Sequence, residues 1–208
     1  AGATVAYGVV GHKCHAKMLL IVRREEGRIR RYVHLGTGNY HTQTSRFYTD
    51  FSYLTSNPEI GEDVHNVFQQ LTSLGGVLPM HRLLHAPFTL KSTLLELIQA
   101  ETEAARAGRT ARIRAKLNAL SDPTVIAALY DASRAGVEID LVVRGICCLR
   151  PGVPGVSESI RVRSILGRFL EHARVYHFHA DGQDLVFTAS ADWMDRNLNR
   201  RVEVAVPI

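Results

Sequence analysis

The chain has 208 residues, 46% of them apolar, a formal net charge of +5 and a pI near 9.3. That length allows one large core or two small ones, the charge is compatible with a polyanionic partner without demanding one, and no apolar run approaches the roughly 20 residues needed to span a bilayer. Three cysteines, Cys14, Cys147 and the adjacent Cys148, exclude a disulfide framework and suit a reducing, cytoplasmic setting.

The first apparent strand, residues 4–10, opens the chain, and another, residues 202–208, closes it. With neither an initiator methionine nor a signal peptide, this is the pattern expected of a fragment. Residues 17–22 alternate little and read as a buried strand, which a turn at residues 25–28 pairs with residues 31–35 as a hairpin. Residues 58–74 carry Val64, Val67, Phe68 and Leu71 at helical spacing, with Gly75-Gly76 as the stop. A second helix is expected over 87–107, with Leu94, Leu95, Leu97 and Ile98 on its apolar side and residues 101–109 as a solvated end. A βαβ unit follows: a strand over 113–120, a helix over 123–135 capped by Ser121 or Asp122 and stopped by Gly136, and a strand over 137–143. Residues 151–155 form a loop, and residues 174–178 and 185–188 a second hairpin around Asp181-Gly182. The domain boundary is expected between the two long helices, giving domains of residues 1–83 and 84–208.

Across these elements runs a repeat of chemistry. His15-Ala16-Lys17 is followed by Gly36-Thr37-Gly38-Asn39 and Asp50; His172-Ala173-Arg174 is followed by Ala189-Ser190-Ala191-Asp192 and Glu203. The last gap, Asn39 to Asp50 and Asp192 to Glu203, is eleven residues in both copies. Residues i and i+2 of a strand share a face, so each histidine points the same way as its cation. If the halves are copies, the first lacks its opening part, because little sequence precedes His15. Two such half-sites facing each other would place two imidazoles across one phosphorus. Neutral imidazole is a competent nucleophile near pH 7. A cation two residues on suits non-bridging oxygens, and the Gly-rich turn with Asn39 can donate N–H bonds to them. A carboxylate on the far ring nitrogen fixes the tautomer. Within each copy Asp50 is expected to serve His15, and Glu203 to serve His172.

Other residues have plainer readings. His34 either supports the site or fills the hairpin, Tyr48 is either functional or a packed aromatic, and Arg144 follows a buried strand whose C-terminal end in an α/β layer commonly meets ligands. Arg150 and Arg161 read as surface residues. His12, Cys14 and His15 lack the second ligand cluster that structural zinc needs.

The His-x-Lys and Gly-Thr-x-Asn motifs resemble those of the phospholipase D superfamily. Val22 stands where that superfamily has an aspartate, and Arg174 and Asp192 replace lysine and asparagine in the second copy. Residues 15–17, 32–40, 48–51, 141–145, 165–175 and 190–194 more closely resemble polyphosphate kinase of the first, bacterial type, and the resemblance covers essentially the whole chain. It implies an α/β fold of two phospholipase D-like domains, with mixed sheets flanked by helices, the first domain shortened at its N-terminus and the second cut before its end. It also implies reversible transfer of the ATP γ-phosphoryl group to inorganic polyphosphate through a phosphohistidine. In that scheme His15 is phosphorylated, His172 assists, and Lys17, Asn39, Asp50 and Glu203 complete the catalytic set. Tyr48, Arg144 and His172 bind nucleotide, and His34 and Arg174 lend support. ATP, ADP and polyphosphate are the implied partners, in a homo-oligomeric full-length enzyme that binds no nucleic acid and is cytoplasmic or peripheral to the inner membrane in a larger complex. Mg2+ is the implied cofactor, its arginines expected upstream of Ala1, so no metal site is expected within the chain and the isolated fragment is expected to be inactive. Two alternatives are a phosphodiesterase or nuclease at the same site, and an inactive polyanion-binding fragment.

Overall fold

A computed structural model describes residues 2, 3, 5, 11–72 and 78–208. The strands are β1 (Lys13–Cys14), β2 (Lys17–Glu25), β3 (Arg28–Gly36), β4 (Tyr48–Thr49), β5 (Ser52–Thr55), β6 (Leu84–Ala86), β7 (Arg112–Leu117), β8 (Glu138–Val143), β9 (Ile160–Arg163), β10 (Leu170–Glu171), β11 (Arg174–Phe178), β12 (Leu185–Ala189) and β13 (Arg201–Pro207). The α-helices are α1 (Pro58–Thr72), α2 (Leu90–Arg106), α3 (Pro123–Arg134) and the short α4 (Asp195–Asn199). The architecture is mixed α/β, with sheets flanked by helices. The strand expected over residues 4–10 and the Gly75-Gly76 stop lie largely outside the described residues.

In the first half, β2, β3 and β5 form an antiparallel sheet in that order. Its hairpin turns at Glu26 and Gly27, both at positive φ (50° and 77°), the left-handed conformation that two-residue hairpins require. α1 lays Ile60 and Val64 over Val33 and Leu35. The helix approaches so closely that a Cβ on Gly61 would stand 2.9 Å from Arg31 Cβ. The opposite face is open, with Leu19, Ile21 and Leu54 exposed. This corrects the reading of residues 17–22 as a buried strand: only the alternate residues Met18 and Leu20 reach the core, because a helix covers one face only.

The second half is built on an eight-stranded sheet in the order β1-β13-β12-β11-β7-β8-β9, with β6 also on β13. β7 and β8 are parallel and joined through α3, the expected βαβ unit. Asp122 is the cap, accepting the backbone N–H groups of Thr124 and Val125 at 3.0 Å each. The core gathers Leu94 and Ile98 from α2, Leu129 from α3, Ile113 and Leu117 from β7, and Phe178 and Trp193. Two helix-end readings need correction. α2 begins at Leu90, because the N–H groups of Phe88 and Thr89 both turn back to the His85 carbonyl. Glu101 is not solvated: it is 2% exposed and accepts the backbone N–H groups of Arg112 and Ala180 at 2.9 and 2.6 Å, closing the strand ends over the helix.

Two short parallel bridges stitch the halves together, and they position the site. β1 pairs with β13, Lys13 opposite Arg201 and Cys14 opposite Val202. β4 pairs with β10, Tyr48 opposite Leu170 and Thr49 opposite Glu171. Val204 and Val206 of β13 pack into the core of the first half.

Candidate active site

In-register parallel strands carry their next residues side by side, about 4.8 Å apart. The residue after Cys14 is His15, and the residue after Val202 is Glu203. The residue after Thr49 is Asp50, and His172 follows Glu171. The bridges therefore exchange the acids expected within each copy. His15 Nδ1 donates to Glu203 Oε2 at 2.8 Å, and His172 Nδ1 donates to Asp50 Oδ1 at 2.7 Å. The pairing of Asp50 with His15 and of Glu203 with His172 is thus overturned. Backbone bonds fix the exchange: the N–H groups of His15 and Ala16 both reach the Val202 carbonyl at 2.9 Å, and those of His172 and Ala173 both reach Thr49 O at 3.1 Å.

Each acid is held for its task. Glu203 is fully buried and also accepts from Ser190 Oγ and, at 2.6 Å, from Asn197 Nδ2. Asp50 also accepts from Thr37 Oγ1 at 2.7 Å, and that same oxygen receives Phe51 N–H at 2.9 Å. Burial pushes the Asp50 carboxyl up, but the bonds from His172 and Thr37 and the nearby positive charge outweigh it and leave the pKa lowered. A carboxylate only accepts, so both imidazoles carry hydrogen on Nδ1, and in the neutral ring the lone pair then lies at Nε2. Gly38 is needed beside Asp50: a Cβ there would lie 2.5 Å from Asp50 Oδ2.

The cations differ. Arg174 is 4% exposed and fully engaged. Its Nε and Nη2 donate to Asp192 Oδ1 and Oδ2 at 3.3 and 3.1 Å, and its Nη1 donates to the His172 carbonyl at 2.9 Å and to His172 Nε2 at 3.2 Å. Lys17 is 6% exposed, and its Nζ has no hydrogen-bond partner among the described residues. Desolvation holds its pKa down to about 8 against the pull of Glu203 and Asp50, with Arg174 adding to the depression. Lys17 thus feels both acids and the opposite cation, so the two half-sites share one electrostatic environment. His172 is also held below its ordinary pKa, first by burial and then by Arg174 and Lys17, with Asp50 opposing. It is neutral at pH 7.

Around this centre the Tyr48 ring lies 4.9 Å from the His172 ring, centroid to centroid. Arg144 Nε donates to Asn118 Oδ1 at 3.0 Å, and His34 Nδ1 meets Tyr40 Oη at 2.6 Å. Asn39 is not drawn in: it is exposed, and its carbonyl receives His41 N–H at 2.8 Å. Its counterpart Asp192 is buried and accepts the backbone N–H groups of Asn118 and Ala119 at 2.7 and 3.2 Å. Ser190, Asn197, Thr37 and Asn118 complete the network and went unassigned from sequence. Ser190 and Thr37 sat inside the repeated turns, where their matching positions were the available signal; Asn118 and Asn197 offered none. Among the described residues no group of three or more His, Cys, Asp or Glu could hold a metal. Asp50, Asp192 and Glu203 are committed to histidine, arginine and main-chain donors, so this donor set does not fit Mg2+. No helix among the described residues is long and apolar enough to cross a membrane.

The sequence profile described as polyphosphate kinase C-terminal domain 2 matches residues 83–208, and that of C-terminal domain 1 matches residues 1–76. The chain belongs to the polyphosphate kinase family. Polyphosphate kinases of Burkholderia ambifaria (strain MC40-6) and Paraburkholderia phytofirmans are 66% and 63% identical to it over 211 residues, which cover 100% of this chain. The crystal structure of polyphosphate kinase from Porphyromonas gingivalis superposes with a TM-score of 0.89 at 41% identity over 96% of this chain. In each case the match takes in 31% of the relative, so this chain spans about a third of the polyphosphate kinases it matches.

Proposed function

We propose that this chain carries the phosphoryl-transfer centre of a polyphosphate kinase, with His15 as the nucleophile. The observation that carries the reading is the exchanged pair of carboxylate–imidazole contacts, which gives each Nε2 a fixed tautomer, combined with the asymmetry at the two Nε2 atoms. His172 Nε2 already accepts from Arg174, whereas none of the described residues bonds His15 Nε2.

The His15 Nε2 lone pair attacks the γ-phosphorus of ATP. The N–P bond forms as the bond from phosphorus to the β–γ bridging oxygen breaks, and ADP leaves with the electron pair. A terminal oxygen of polyphosphate then attacks the phosphorus, the N–P bond breaks, and the imidazole is restored. Glu203 stabilises the positive charge that His15 acquires while phosphorylated. Lys17, with no hydrogen-bond partner among the described residues, compensates the non-bridging oxygens, and Arg174 supplies fixed positive charge opposite. His172, neutral and held by Asp50 and Arg174, assists transfer, and Tyr48 and Arg144 hold the nucleotide.

The full-length parent enzyme incubated with γ-labelled ATP should acquire acid-labile label at His15. Label persisting in His15→Ala refutes the assignment. ATP-independent hydrolysis of a simple phosphodiester would replace the reading with a phosphodiesterase. The cytoplasmic setting, the homo-oligomer and a Mg2+ requirement met by residues outside this chain belong to the same proposal.

A further inference from the structure

Asn118 lies just past the C-terminal end of β7 and is 7% exposed. Every polar group of the residue is engaged. Its N–H donates to Asp192 Oδ1 at 2.7 Å, its Nδ2 donates to the His172 carbonyl at 3.1 Å, its Oδ1 accepts from Arg144 Nε at 3.0 Å, and its carbonyl accepts Gly145 N–H at 2.8 Å. The Gly145 turn is tight against it: a Cβ on Gly145 would come within 2.9 Å of the Asn118 carbonyl oxygen. One planar amide therefore joins Arg144 to the His172 backbone, while its own main chain holds the aspartate that fixes Arg174.

We propose that Asn118 is a positioning residue that sets how far Arg144 is available to the nucleotide and holds His172 in register with it. This rests on the preceding assignment of Arg144 to nucleotide binding. A neutral carbonyl oxygen holds Arg144 Nε while leaving both Nη groups to bond phosphate oxygens. A carboxylate at the same place would hold the guanidinium by charge and compete with the nucleotide. The Nδ2 bond gives the His172 carbonyl a second donor beside Arg174 Nη1, which limits rotation of the His172 peptide.

The two functions separate by substitution in the full-length enzyme. Asn118→Asp should weaken ATP binding, measured by calorimetry with the non-transferable β,γ-imido analogue of ATP, about tenfold through Arg144, the worth of one competing charge-assisted bond. Asn118→Ala should leave ATP affinity within about threefold and lower kcat about tenfold or more, because His172 loses a tether. In an Arg144→Ala background, Asn118→Asp and Asn118→Ala should bind ATP equally. Tight ATP binding by Asn118→Asp, or a difference between the two variants that survives Arg144→Ala, overturns the proposal. If Asn118→Asp does not fold, Asn118→Ala decides: a loss in kcat at retained affinity supports the tether, and wild-type kcat, or equal losses of kcat and affinity, refutes it. With the β,γ-imido analogue binding is read without transfer, so absence of phosphohistidine in the wild-type enzyme would refute the catalytic reading and leave the Asn118 result standing.

Discussion

In the half-site around His15, the cation two residues on, Lys17, is buried with no hydrogen-bond partner among the described residues. In the half-site around His172, the corresponding Arg174 makes contacts to Asp192, to the histidine carbonyl and to the histidine ring. The two histidines are otherwise treated alike, each donating from Nδ1 to a carboxylate carried by the other half. The repeated scaffold thus supplies two equivalent imidazole mounts, and the local charge makes them unequal. Among the described residues one mount keeps an unbonded ring nitrogen and, two residues on, an unpaired cation, the arrangement of a centre that receives a group. The other is braced by an arginine whose fork is already filled, the arrangement of a fixed support.

The sharpest way to break that comparison is to remove each ring in turn. In the full-length enzyme His15→Ala should lower transfer by a factor on the order of 10⁴ or more, the scale of a lost nucleophile. His172→Ala should cost less and should leave some label on His15. Equal losses, with no label in either variant, would mean that the halves are functionally equivalent.

Next in size come the carboxylates. Glu203→Gln should reduce transfer by about 10³- to 10⁴-fold, because an amide can hold the imidazole in the wrong tautomer. Asp50→Asn should cost about tenfold less, since it acts on the supporting ring. The exchange makes a further demand, readable by NMR of the imidazoles: Glu203→Gln must perturb His15, and Asp50→Asn must perturb His172. The opposite pattern would restore pairing within each copy.

That exchange also shows where the sequence could be read and where it could not. The His15 hairpin, the βαβ unit and a helix cap at Ser121 or Asp122 came from local patterns: alternation, helical spacing and a turn residue at the right offset. The histidines, cations and acids came from the repeat. Which acid meets which histidine depends on two bridges, β1 with β13 and β4 with β10, whose partners lie 188 and 122 residues apart in register. Strands of two residues carry no periodicity, and parallel partners need no nearby turn to betray them. Glu101 misled for a related reason. It sits in a charged stretch at a helix end, and only the tertiary arrival of Arg112 and Ala180 turns it inward. The openness of the β2–β3–β5 sheet escaped because Leu19 and Ile21 have the composition of core residues.

Exchanging the cations is a milder probe. Arg174→Lys should cost about 10²-fold in transfer, because an ammonium cannot reproduce a guanidinium fork gripping both Asp192 oxygens and the His172 carbonyl. It should also lower the melting temperature, as buried Asp192 loses donors. A near-normal Arg174→Lys enzyme would make Arg174 a simple charge and remove the asymmetry between the halves.

The smallest expected effect concerns stability, and it separates a cation kept for packing from one kept for an anion. Lys17 is held down to about 8 in the folded protein, whereas an unfolded lysine titrates near 10.5. Between those values the unfolded chain binds more protons, so this group makes the fold more stable as pH rises from about 8 to about 10.5, and contributes no slope below. Lys17→Met should therefore remain folded, gain about 2 kcal/mol near pH 7 and lose that rise; a destabilised variant would mean that the ammonium has a partner after all. The same substitution should weaken polyphosphate binding. An anion seated against Nζ raises the lysine pKa again, so binding near pH 8 should draw protons from solution. Calorimetry in buffers of different ionisation enthalpy measures that uptake directly, and in Lys17→Met it should fall. Uptake unchanged by the substitution would show that Lys17 does not meet the anion, and the free cation of the His15 half-site would then be a structural expense without a use.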